Sequence, residues 1–170
     1  MKERIKKIIE DFGPYLVIII VIVIVKTFFV SPIRVSGDSM DSTLKNNDVM
    51  ILNKIGYRLN GVKRFDIVVV NYNGRYLIKR VIGLPGDTLK VINNKLFINE
   101  EYVDEPYLDE DVVTMTFFVE EKIPEGEYFL MGDNRESSLD SRSLGNFSEK
   151  DILGIASYTI FPFNRIGSKS

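Results

Sequence analysis

The chain changes texture at about residue 31. Before it, a charged start (Lys2, Glu3, Arg4, Lys6, Lys7, Glu10, Asp11) gives way to eleven uncharged, mostly β-branched residues, 15–25. Lys26 interrupts, and three more apolar residues among 27–30 complete a 16-residue stretch. A buried strand does not run this long. A cleaved leader needs small residues before its cut, and the chain's one Ala, Ala156, is far away. The pattern predicts one membrane-spanning helix over 14–30, slightly short of the roughly 20 residues of a full span. Pro14 is expected in its first turn, and Lys26 near its end, where the long stem reaches the interface.

After residue 31 the apolar runs are short and separated by turn residues. Strands are expected over 48–54, 66–72, 76–84, 88–99, 114–120, 127–132 and 152–161. Asn93-Asn94 sits between the runs 89–92 and 96–98 and predicts a tight hairpin turn. No long helical period follows residue 31. The expected fold is mostly β, an antiparallel barrel or sandwich behind one transmembrane helix. The segments are a short N-terminus (1–13), an anchor (14–30) and a β-rich domain (31–170). Four Lys/Arg precede the anchor (Lys2, Arg4, Lys6, Lys7), against two at its far end (Lys26 near the end, Arg34 just beyond), which predicts a cytoplasmic N-terminus and an extracytoplasmic domain.

Charge and composition then narrow the chemistry. The 170 residues carry a net charge of −2; setting aside residues 1–26, 17 Lys/Arg face 21 Asp/Glu, a net of −4. An acidic body is a poor binder of nucleic acid. The chain has neither Cys nor His. That excludes a thiol nucleophile, a disulfide framework, a Ser-His-Asp triad and His- or thiolate-based metal sites. Nucleophilic hydrolysis would need Ser or Thr beside a neutral Lys, whose pKa must fall from about 10.4.

Three segments carry candidate groups. In Ser36-Gly37-Asp38-Ser39-Met40, a Gly two residues before Ser39 permits a tight turn presenting Oγ and the backbone N–H together. A polar juxtamembrane loop accounts for the same residues. In the run 76–87, Lys79 and Arg80 lie within apolar positions and alternation turns one of them inward. A solvated Lys79 fits this pattern too. In 132–142, three acids, two Arg and three Ser follow an apolar strand. They suit either a solvated loop or a hydrogen-bonded cluster that orients a neighbouring group.

Taken together, these segments resemble type I signal peptidase, the membrane-bound serine protease that removes signal peptides from exported proteins. Residues 36–44 resemble its nucleophile box, 63–70 the strand box before the lysine, 76–87 the lysine box and 132–142 its last box at every fixed position. The resemblance implies a Ser-Lys dyad of Ser39 (nucleophile) and Lys79 (general base). Ser138 would hydrogen-bond the lysine amine, Asp140 and Arg142 would form a supporting ion pair, and Gly132 would allow close backbone approach. The Ser39 N–H would donate to the oxyanion, and Met40 would shape the substrate cleft. The implied partners are a lipid bilayer and exported preproteins with small residues at −3 and −1, with no metal or cofactor. Two positions depart from the family's pattern: Ser42 stands where Pro is usual, and Gly37 where some relatives carry a Ser whose hydroxyl serves the oxyanion hole.

Overall fold

The computed structural model describes residues 2–169; the side chains of residues 2–10 and of Ser157 lie outside the described set. Among them are Lys2, Arg4, Lys6 and Lys7, on which the expected orientation rests. Helix α1 (Lys2–Ile24) continues through one wider π-helical turn (Val25–Phe29). Residues 11–29 form a helical stretch long and apolar enough to cross a membrane, and none of it is buried against the rest of the chain. Pro14 lies inside the helix and not in its first turn. The polar residues before it extend the helix toward the N-terminus.

Val30, the last residue of the apolar run, already belongs to a strand, β1 (Val30–Arg34). Then follow β2 (Val49–Asn53), α2 (Lys54–Asn60), β3 (Ile67–Tyr72) and β4 (Arg75–Gly83). Next come β5 (Leu89–Ile92), β6 (Lys95–Ile98), β7 (Glu101–Val103), β8 (Phe117–Val119) and β9 (Glu127–Met131). The chain ends with α3 (Ser141–Leu144), β10 (Phe147–Ser148), β11 (Ile152–Phe161) and β12 (Gly167–Ser168). Every ladder is antiparallel. One sheet runs β1-β2-β11-β3-β4-β9-β10, with β12 on β11; the other runs β7-β6-β5-β8. Neither closes on itself, so the architecture is sandwich-like, without a closed barrel.

The larger sheet places the site. Strand β3 lies between β11 and β4, and Ile67, Val68, Val69 and Val70 are all buried. Ile67 and Val69 pack with Met40, Leu44, Met50 and Leu52. Val68 and Val70 pack with Val81, Leu130 and Phe147. Apolar cover on both faces explains why this run does not alternate. Strand β4 pairs with β3 along 75–80 but with β9 only from Arg80 onward. Its first half therefore has one unpaired edge. The β5–β6 hairpin turns at Asn93 and Asn94, both with positive φ (50° and 61°), the backbone that a tight two-residue turn demands.

Candidate active site

The loop after β1 carries Ser39. Gly37 adopts φ 90°, a conformation that strains any other residue, and its N–H donates to Asn46 Oδ1 at 3.2 Å. Asp41 N–H donates to Asp38 and Leu44 N–H to Met40, closing a turn around Ser39. From the other side Asn134 holds the same loop. Its backbone N–H donates to the Ser39 carbonyl and its Nδ2 to the Asp38 carbonyl, both at 3.1 Å. Among the described residues the Ser39 N–H meets no acceptor, which leaves it free for an incoming oxygen.

Lys79 reaches this loop from β4. Its Nζ donates to Ser39 Oγ at 2.7 Å. Lys79 is 2% exposed, and burial lowers its pKa from the usual 10.5 to about 8. Asp140 and Asp133 oppose that shift and Arg142 adds to it. Arg80, the neighbouring cation, is buried as well, so alternation's expectation of one inward cation is exceeded: a strand covered on both faces buries both. Arg80 is committed elsewhere. It forms a fork-shaped ion pair with Asp133 (2.9 and 2.7 Å), donates to the Phe65 carbonyl and stacks 3.9 Å from the Tyr107 ring centre.

The loop following β9 supports both groups. Gly132 N–H donates to Asp140 Oδ2 at 2.9 Å. A Cβ on Gly132 would collide with the Ser39 carbonyl oxygen and the Ser138 side chain, so only glycine lets these strands of chain meet. Asp140 is fully buried and accepts two bonds from the Arg142 guanidinium, at 2.9 and 2.8 Å. Burial alone would raise the Asp140 carboxyl; Arg142 and the Gly132 N–H outweigh it and hold the pKa below its ordinary value. Asp140 also caps α3. Ser138 makes a different contact from the one the family resemblance implies. Its Oγ is buried without a hydrogen-bond partner, beside Gly132 and close enough to Asp140 to help lower that carboxyl, and no bond to Lys79 forms. Met40 is 1% exposed and lines the groove with its remaining accessible surface.

That groove has a volume of about 820 Å³. It runs between the segment 31–36 and residues 76–79 of β4, and Ser39 and Lys79 lie in its wall. Strand β1 is an edge of its sheet and the first half of β4 has one free edge, so two rows of unpaired backbone groups flank the groove.

Comparison with known proteins gives the family. The model of the family described as signal peptidase, peptidase S26, matches residues 8–161. This chain belongs to that family. Signal peptidase I P of Bacillus subtilis subsp. natto is 40% identical over 178 aligned positions, covering 97% of this chain and 96% of the relative. Signal peptidase IB of Staphylococcus aureus is 37% identical, covering 94% and 92%. A crystal structure of a signal peptidase I from Enterococcus faecalis V583 superposes with a TM-score of 0.51 at 32% identity, covering 55% of this chain and 95% of that one. As a peptidase S26 member, the chain is a serine endopeptidase of the Ser-Lys type.

The sequence reading missed four groups that shape this family site. Asn134 holds the Ser39 loop, and Asp133 pairs with Arg80. Arg135 pairs with Glu105, donates to Thr114 and bonds the Gly132 carbonyl at 3.1 Å. Asp133, Asn134 and Arg135 stood in a conspicuous motif; Glu105, 30 positions away, carried no local signal.

Proposed function

We propose that this peptidase cleaves signal peptides from exported preproteins, with Ser39 as nucleophile and Lys79 as general base. The observation that carries the assignment is the 2.7 Å contact between Lys79 Nζ and Ser39 Oγ, made by a lysine whose burial brings its pKa to about 8. Neutral Lys79 takes the Ser39 proton as Oγ attacks the scissile carbonyl. The oxyanion forms beside the free Ser39 N–H. As the tetrahedral centre collapses, the Lys79 ammonium gives its proton to the departing amine and an acyl ester remains on Ser39. Water, deprotonated by Lys79, then hydrolyses the ester. Asp140, Arg142 and Gly132 act as positioning groups. No metal or cofactor enters.

Substrate binds as an extended strand in the groove, hydrogen-bonded to the free edges of β1 and β4. Small residues at −3 and −1 of the cut suit shallow pockets in a wall that includes Met40. Helix α1 anchors the enzyme in the cell membrane, N-terminus inside and residues 31–170 outside, in line with the four Lys/Arg that precede its apolar run. Eight residues separate Val30 from Ser39, so the dyad works close to the bilayer. The test is incubation of the full chain with a preprotein in detergent, the cut site being mapped by mass spectrometry. Cleavage after a small-x-small sequence that is lost in Ser39→Ala supports the reading; equal cleavage by Ser39→Ala refutes it. Protease added to intact protoplasts tests the topology, since residues 31–170 should be digested without lysis.

A further inference from the structure

The short helix α2 is packed where the membrane segment ends. It contacts the π turn and β1, and Lys54 Nζ donates to the carbonyls of Lys26 and Thr27 at 3.3 and 3.2 Å. Lys54 thereby occupies carbonyls that the helix end leaves unpaired and fixes α2 against the emerging anchor. Beyond that lock, α2 presents an apolar side chain to solvent: Leu59 is 76% exposed. The Arg58 side chain beside it is exposed and makes no ion pair or hydrogen bond among the described residues. The surroundings repeat this character. The side chains of Arg34 and Lys150 are exposed, unpaired among the described residues, and line the same groove as Arg58, and no acidic residue among those described lines that groove. This local excess of cations stands against a body of net charge −4.

We infer that α2 and the cationic rim of the groove form a foot that docks onto anionic lipid headgroups of the bilayer that α1 spans. The inference rests on the membrane-anchored reading above. Two observations select that occupant: the surface is continuous with the apolar helix through the Lys54 contacts, and its charge is opposite to that of an anionic leaflet. Leu59 enters the headgroup region while Arg58, Arg34 and Lys150 meet phosphates. The acidic remainder of the domain is repelled by the same surface. Attraction at the foot and repulsion elsewhere orient the domain, so that the groove mouth faces the level at which a membrane-embedded substrate leaves the lipid.

The absence of Cys makes the test clean, because single cysteines can be introduced and labelled with an environment-sensitive fluorophore. Full-length Leu59→Cys, Ile20→Cys and Tyr102→Cys are reconstituted into vesicles of phosphatidylcholine with or without phosphatidylglycerol. Shallow spin-labelled lipids serve as quenchers. The expected result is strong quenching at position 59 in phosphatidylglycerol vesicles, much weaker quenching in phosphatidylcholine alone, and none at position 102. Adding Arg58→Gln should lower the docked-to-undocked ratio roughly fivefold. Quenching at 59 no greater than at 102 overturns the foot. Equal quenching at 59 in both lipids overturns the anionic recognition. The blue-shifted emission of a probe at position 20 reports the anchor separately: its loss refutes the membrane reading, whereas its presence with a dry anchor and a wet position 59 refutes only the foot.

Discussion

Replacing Lys79 with Met should stabilise the protein while abolishing its activity. The pKa of Lys79 falls from 10.5 to about 8 chiefly through burial. Holding a proton on this amine in the folded protein therefore costs roughly 3 kcal/mol relative to the unfolded chain. Because the folded pKa is the lower one, that cost is present in full below about pH 8. It shrinks between about 8 and 10.5, where the folded protein has released the proton and the unfolded chain still holds it. It vanishes above that window. Met has a similar length and no charge to desolvate. The substitution forfeits the hydrogen bond to Ser39 Oγ, worth about 1 kcal/mol. The net gain at pH 7 is roughly 2 kcal/mol, about 4–8 °C in Tm for a chain of this size. Urea or thermal melts of both proteins in detergent at pH 7 and pH 10 measure it. The kinetic counterpart is kcat/KM of the unsubstituted enzyme, which should rise with pH through an apparent pKa of about 8 and not near the roughly 6.5 of a histidine. At pH 7 about one enzyme in ten then carries a neutral Lys79, against about one in 3,000 for an unperturbed lysine. A stability gap that is absent at pH 7, or that stays constant to pH 10, would refute the buried-lysine argument.

Three further substitutions test the surroundings. Ser39→Ala should melt within about 2 °C of the unsubstituted protein, since Ser39 is only half-buried, yet lose activity on the order of a millionfold; preprotein turnover within tenfold of normal would defeat the nucleophile assignment. Gly132→Ala should push the Ser39 carbonyl and Ser138 aside and lower kcat roughly a hundredfold, the typical effect of misplacing a reacting group by about 1 Å; steady-state kinetics showing normal kcat would mean the loop absorbs the methyl. Asp140→Ala should cost roughly 3–5 kcal/mol in denaturant melts by stranding Arg142 and the Gly132 N–H. Because Asp140 raises the Lys79 pKa, the residual activity should show a lower apparent pKa, and an upward shift would contradict the electrostatics.

Much of the fold could be read from local pattern. The runs 66–72, 76–84, 127–132 and 152–161 correspond to β3, β4, β9 and β11 within a residue or two, because each is a run of β-branched and aromatic residues bounded by turns. The run 88–99 resolves into β5 and β6 at Asn93-Asn94. In 114–120 only Phe117–Val119 pairs, with β5. Strands β7, β10 and β12 span two or three residues each and exist through their partners, so no window of sequence reveals them. Helix α2 left a faint mark: Asn53 caps it, accepting from the Gly56 N–H at 2.7 Å, and Gly61 follows its end. Its seven residues are too few for a visible period. The geometry of Ser138 was beyond sequence pattern. A motif fixes which residues are neighbours but not the rotamer by which a hydroxyl chooses between Lys79 and the wall beside Gly132.

The dyad's chemistry depends on charges that sequence pattern presents only as a polar cluster. Two buried carboxylates, Asp133 and Asp140, stand close enough to Lys79 to raise its pKa. Left bare they would keep the lysine charged and useless as a base near neutral pH. Each is instead matched by its own guanidinium: Asp133 by Arg80 and Asp140 by Arg142, both in two-point contacts. Neutralised in this way, Asp140 still fixes the loop, through the Gly132 N–H and the cap of α3, while the pull of both carboxylates on Lys79 is too weak to offset burial. Lysine could not replace either arginine on equal terms, because a point charge cannot occupy both carboxylate oxygens at once. A second buried arginine, Arg135, ties the Gly132 carbonyl to Glu105 and so links the same loop to the segment beyond β7. Burying this many ions is costly, and what it secures is position. Asn134, at the centre of the loop, holds the Ser39 turn by backbone and side chain, and Lys79 meets it from the point where β4 becomes buried. A neutral amine within hydrogen-bond reach of a serine hydroxyl is the outcome of that matched set, not of Lys79 and Ser39 alone.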